Sequence, residues 1–93
     1  MAALYEVELA PTAQRQIKKL PPQEQNLVLK QLDKLAVNPR PHGVKQLVGS
    51  TVFYRVRVRD YRIIYTINDR KLLVLVVKVG HRKDVYRDLG HNY

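Results

Sequence analysis

The segment Arg55-Val56-Arg57-Val58-Arg59 places arginine at every second position. In an extended strand, residues two apart point the same way and stand about 6.6–6.8 Å from each other. Three guanidiniums would then form a rail of planar, multi-donor forks, a geometry suited to phosphate oxygens. Arg62 follows a reversal at Asp60, so antiparallel pairing brings it beside the rail. A charged face can also serve only to keep a sheet edge soluble. Anion binding is the better reading, because like charges set opposite one another destabilise a sheet unless something acidic compensates.

A second group is Gly80-His81-Arg82-Lys83-Asp84-Val85-Tyr86, directly after an aliphatic run. The exit of a rigid strand is a common position for functional residues. His81 is of a residue type that can act as a general acid or base, although histidines at strand exits also serve as caps or face solvent. Tyr86 is either a functional ring or a structural aromatic, like Tyr5, Tyr54, Tyr61 and Tyr65. His42 and His91 fall in a loop and in the tail. The three histidines lack metal-ligand spacing, so no metal or other cofactor is expected. The sequence has no Gly-rich phosphate loop and no nucleophile-elbow motif.

The elements that must hold these residues follow from periodicity. Leu4 to Leu9 alternates Tyr5, Val7 and Leu9 with Glu6 and Glu8, a half-buried strand. Pro11 suits a first helical position and Thr12 an N-cap, roles their order makes mutually exclusive. Ala13, Ile17 and Leu20 continue at helical spacing up to Pro21-Pro22, where a second helix begins. Leu27, Val28, Leu32 and Leu35 form its apolar stripe, and Asn38-Pro39 stops it. From Arg40 to Ser50 the composition is turn-like. Val52 to Arg59 and Tyr61 to Ile67 then read as strands with a reversal between them. Leu72 to Val79 is nearly all aliphatic, as expected of a strand covered on both faces at the sheet centre. Arg82 to Leu89 can form one or two helical turns. The order β-α-α-β-β-β predicts an α+β fold with both helices on one sheet face.

The chain has 93 residues, which suggests a single domain over 1–93. Its 45% hydrophobic content excludes wholesale disorder. Cysteine is absent, which removes disulfide frameworks, zinc ribbons and thiol nucleophiles and fits a reducing cytosol. Glu6 and Glu8 stand where a secretory leader needs a basic and then apolar run, and the longest apolar stretch is Leu72 to Val77. A cytoplasmic chain is expected.

The formal net charge is +9. Residues 1–39 carry five basic and four acidic side chains, whereas residues 40–93 carry twelve and four. Eight of the nine arginines lie in that second stretch. Nucleic acid, an acidic protein and an anionic surface are the partner classes that such a balance admits.

The blocks FYRVRVRDYRIIYTI and VVKVGHRKDVY, preceded by a Pro-bounded helical hairpin with KKLP and an NP stop, resemble the RelE/ParE superfamily of type II toxin–antitoxin toxins, most closely its RelE branch. The likeness covers residues 3–87. It implies a RelE-like microbial RNase fold and cleavage of messenger RNA in the ribosomal A site without a metal. The ribose 2′-OH would attack the adjacent phosphate, leaving a 2′,3′-cyclic phosphate and a free 5′-OH. That reaction needs a base, cations for the phosphate and an acid for the leaving oxygen. By this resemblance Arg62 stabilises the phosphate, Arg82 acts as or assists the acid, and Tyr86 orients the cleaved nucleotide. Arg59, His81 and Lys83 would add contacts to RNA. Arg55 and Arg57 stand where well-known members carry lysines, one of them the base. A guanidinium keeps its proton, so either is a clamp and a poor base. His81, Tyr86 or the ribosome itself would then help with the proton, or turnover would be slower than in lysine-bearing relatives. The resemblance also implies an antitoxin whose short, acidic segment covers the basic face. Two other readings share the residues: a ParE-like DNA gyrase poison, and a non-catalytic nucleic-acid-binding module. The second would call for stacking aromatics along the basic strand, where parity places only Phe53.

Overall fold

The computed structural model describes residues 4–47 and 52–81. Strand β1, Glu6–Leu9, exposes Glu6 and Glu8 and half-buries Val7 and Leu9, as its alternation predicts. Pro11 takes the first position of α1 (Pro11–Lys18), which leaves Ala10 as the extended N-cap and puts Thr12 inside the helix. Proline's fixed φ and missing N–H decide that contest, since neither is a handicap in the first turn. Ala13 and Ile17 are buried. The same device starts α2 (Pro22–Val37), with Pro21 extended before it and Glu24 in its first turn. Val28, Leu32 and Leu35 are its buried residues, and Asn38 ends it at φ −144°, ψ 101°. The residue before a proline is driven out of the helical region.

The remaining strands are β2 (Lys45–Gln46), β3 (Tyr54–Val58), β4 (Tyr61–Asn68) and β5 (Leu73–His81). They form one five-stranded sheet in the order β1-β5-β4-β3-β2. The pairs β5·β4, β4·β3 and β3·β2 are antiparallel, and β1 runs parallel to β5. The α+β order agrees with the expectation, with two corrections. The aliphatic strand β5 lies between β1 and β4, and β4 occupies the centre. Being flanked on both sides is enough to make a strand apolar throughout, so the composition of β5 did not fix its rank. The short β2 falls where the composition is turn-like; two residues are too few to carry a period.

Both helices pack on one sheet face. Their buried side chains meet Val56, Ile63, Tyr65, Val74, Val76 and Val79 in one core, with Tyr54, Val58 and Ile67 at its border. The opposite face carries a smaller apolar cluster of Leu47 and Ile64 with Phe53 and Val77. A bulge between Ile64 and Tyr65 makes room for Val77 on that side. No described helix is long and apolar enough to cross a membrane.

At one end of the sheet, side chains from four segments are tied together. Arg40 donates two hydrogen bonds to Asp69, at 3.1 and 3.0 Å, and lies 5.5 Å from the centre of the Tyr54 ring. Tyr5 donates to the same carboxylate at 2.6 Å. Tyr54 stacks on the fully buried Tyr65, whose hydroxyl donates to the Pro39 carbonyl at 2.7 Å. Tyr5, Tyr54 and Tyr65 therefore have structural work.

Candidate functional site

The arginine alternation becomes a cleft through the β3·β4 reversal. Val58 pairs with Tyr61, so Arg57 falls opposite Arg62, and Arg62 opposite Gly80 of β5. The next row on the same face runs Lys45, Arg55, Ile64, Lys78 across β2, β3, β4 and β5. Residues directly opposite in antiparallel strands have Cα atoms about 4.5–5.5 Å apart. Gly80 offers no side chain beside Arg62. A cavity of about 230 Å³ opens here, lined by Gly43, Lys45, Arg55, Arg57 and Arg62.

The lining is four cations and a glycine, with no carboxylate in it among the described residues. Arg57 Nε donates to the Arg59 carbonyl at 3.1 Å, and Arg62 makes a long contact of 3.5 Å to the Tyr61 carbonyl. These bonds steer the side chains without neutralising them. Like charges across a strand pair are unfavourable on their own account. The arrangement is therefore complementary to an anion that bridges β3 and β4, and a phosphodiester is such an anion. Gly43 stands at φ 89°, and a Cβ there would meet nothing within 4 Å. That wall of the cleft is open.

The other expected residues are placed differently. Strand β3 ends at Val58, and Arg59 sits in the turn at φ 55°. The turn breaks the two-residue period, so Arg59 does not extend the rail, and its part in the site is a carbonyl that receives Arg57. His81 pairs with Tyr61, in the row of Val58 and one residue out of phase with Gly80 and Arg62. Its ring stands edge-on to Tyr61, with centroids 6.3 Å apart. Arg82, Lys83 and Tyr86 lie outside the described residues, as does the expected helical turn at 82–89. Among the described residues, no three His, Cys, Asp or Glu side chains converge as metal ligands do.

Two residues of the site escaped the sequence pattern. Lys45 enters the cleft only because β2 pairs with β3, and no local period announces that pairing. Gln16 of α1 accepts a hydrogen bond from the Val79 N–H at 2.7 Å. Strand β1 has left the sheet by then, its last register pair being Leu9 with Val76, and Ala10 N–H bonds to the Val76 carbonyl. The glutamine thus replaces a missing strand neighbour one residue before Gly80. A polar residue amid the helical stripe was the only available signal.

Comparison with known proteins agrees with the α+β fold. The family model of the ParE toxin of type II toxin–antitoxin systems matches residues 7–86. Toxin RelG of Mycobacterium tuberculosis is 32% identical over 87 residues, covering 89% of this chain and 97% of the relative. The fold is similar to a chain of the RelBE2 toxin–antitoxin complex of M. tuberculosis, with TM-score 0.79, 29% identity, and coverage of 90% and 98% of the two chains. It is also similar to one in the archaeal RelE–RelB complex of Pyrococcus horikoshii, with TM-score 0.76, 27% identity, and coverage of 91% and 100%. A cationic cleft on the open face of a helix-backed sheet, and a match over nearly the whole chain, lead to one conclusion: the chain belongs to the RelE/ParE superfamily of type II toxin–antitoxin toxins.

Proposed function

We propose that this toxin is an endoribonuclease of the RelE type, which cleaves messenger RNA in the ribosomal A site and is held inactive by its antitoxin. The observation that carries the reading is the pairing of Arg57 with Arg62 inside a cleft whose other charged lining groups are Lys45 and Arg55. Four cations can offset the extra negative charge of a pentacoordinate phosphate, and such preorganised donors are commonly the largest catalytic contribution. Arg62 is the clamp nearest the β4 centre of the site, with Arg55 and Arg57 as further clamps. Arg82 and Tyr86 take the acid and nucleotide-orienting roles the family resemblance implies, and His81 and Lys83 are secondary RNA contacts. The reaction is proposed to need no metal, and the chain to act in the cytoplasm as one toxin domain.

Relatives of known structure are described as RelB–RelE and RelBE complexes. By the same token we assign this chain an antitoxin partner, with a short acidic segment over the cationic cleft. Occupying the cleft with carboxylates would neutralise the toxin and relieve the repulsion within it.

The gyrase-poison reading has one observation in its favour, the ParE description of the matching family model. Expression of the toxin without a partner separates the two. The nuclease reading predicts growth arrest with protein synthesis failing first and DNA supercoiling intact. Loss of supercoiling with the DNA-damage response, and translation unaffected, would support gyrase. Absence of any toxicity would leave the nucleic-acid-binding module.

A further inference from the structure

The cleft contains ample positive charge but poses a problem of proton transfer. Attack by a ribose 2′-OH requires a group that takes its proton, and Arg55, Arg57 and Arg62 cannot, since a guanidinium stays protonated in proteins. His81 is one residue out of phase with the cleft and turned against Tyr61. Lys78 ends the same row as Lys45 but is 4% exposed and does not line the cavity. Of the lining residues, Lys45 alone carries a group that can exist as a free amine. It is exposed, sits opposite Arg55, and is two strand spacings, about 10 Å, from the β4 axis that carries Arg62. Lys45 and Arg62 nevertheless line the same cavity, and the flexible four-carbon stem lets the amine move within it.

We propose that Lys45 is the general base of this toxin, an inference that rests on the endoribonuclease reading above. In the step assigned to it, neutral Nζ takes the proton from O2′. The O2′ electron pair forms a bond to phosphorus, the P–O5′ bond breaks, and O5′ leaves with a proton from a general acid. The products are a 2′,3′-cyclic phosphate and a 5′-OH. The ammonium formed at Lys45 returns its proton to solvent, so protons and electrons balance over a turnover. The charged groups facing Lys45 are Arg55 and Arg57 from β3 and Arg62 from β4, with Lys78 of β5 at the far end of its row. The three guanidiniums stay protonated, so they supply a constant positive field around the amine. The two-residue strand β2 thereby has a function: it fixes the base beside the clamps.

The test is single-turnover cleavage of a defined messenger on isolated ribosomes, followed against pH for wild type, Lys45→Arg and Lys45→Cys. Lys45→Arg keeps the charge and the reach, and removes only the capacity to accept a proton. The inference predicts a rate loss of about 10²–10⁴ with ribosome affinity unchanged, and loss of the limb on which the wild-type rate rises with pH. The chain has no native cysteine, so Lys45→Cys can be alkylated at that position alone with 2-bromoethylamine. Alkylation rebuilds an amine with a lower pKa than lysine. It should restore cleavage, with the rising limb moved to lower pH. A Lys45→Arg toxin that cleaves at the wild-type rate with the same pH profile overturns the assignment and leaves the nuclease reading standing. A wild-type toxin that cleaves nothing on ribosomes overturns both.

Discussion

Arg57 and Arg62 face one another across two strands, an arrangement that weakens the empty sheet and suits a bound anion. Arg57→Gln should therefore stabilise the fold by roughly 0.2–1 kcal/mol at low salt, read by thermal melting, while ribosomal cleavage falls. Asp69 behaves in the opposite sense. Its hydrogen bonds from Arg40 and then from Tyr5 hold the carboxyl below its ordinary value. A depressed carboxyl contributes stability that is present above its unfolded value of about 3.9 and is lost as pH falls through the folded value. Wild type should thus melt higher than Asp69→Asn at neutral pH, with the gap closing as the solution is acidified below about pH 4. A gap that persists undiminished in acid would exclude this carboxylate as its source. At this scale Arg55 and Arg57 were legible, because a period of two assigns them to one face whatever the partner strand. Arg59 obeys the same period in the sequence, yet it belongs to the turn, since the reversal needs a residue at positive φ there.

Strand β5 is the element that delivers Gly80 to the site. Its far end stays paired with β4, but on the edge that β1 leaves, Val79 is held by a helix side chain. Gln16 gives the Val79 N–H the acceptor that β1 no longer provides. Gln16→Ala should cost about 1–3 kcal/mol, the range for leaving a buried donor unsatisfied. Denaturant unfolding measures that loss. Amide exchange at Val79 and Gly80 should quicken more than in the middle of β4. Uniform exchange across the sheet would contradict a local role. The helices were readable from their proline starts and apolar stripes. The rank of β5 was not, since flanking strands on either side produce the same composition in the centre of a sheet or one place from it. Strand β2 was invisible for a different reason. Its place is set by long-range pairing with β3, so the lysine it contributes to the cleft could not be inferred locally.

Taken as a whole, the chain concentrates its +9 on the half that forms the cleft. If the proposed nuclease binds ribosomal RNA through that surface, it releases counterions, and affinity should fall steeply as salt is raised. Guanidiniums already supply the charge that a divalent cation would bring, so a chelator that spares ribosome integrity should leave the cleavage rate unchanged. A rate restored only by added metal would contradict that assignment. Charge alone is shared by nucleases, gyrase poisons and RNA-binding modules. The proposed nuclease reading rests on Arg62 standing opposite Arg57 in a cleft lined by four cations. The decisive measurement is therefore the chemistry of messenger ends after purified toxin meets programmed ribosomes. Wild type should leave 2′,3′-cyclic phosphate and 5′-OH termini at A-site positions, and Arg62→Ala, correctly folded, should do so about 10²–10³ times more slowly. Intact messenger with wild-type toxin, or equal cleavage by Arg62→Ala, would contradict the account.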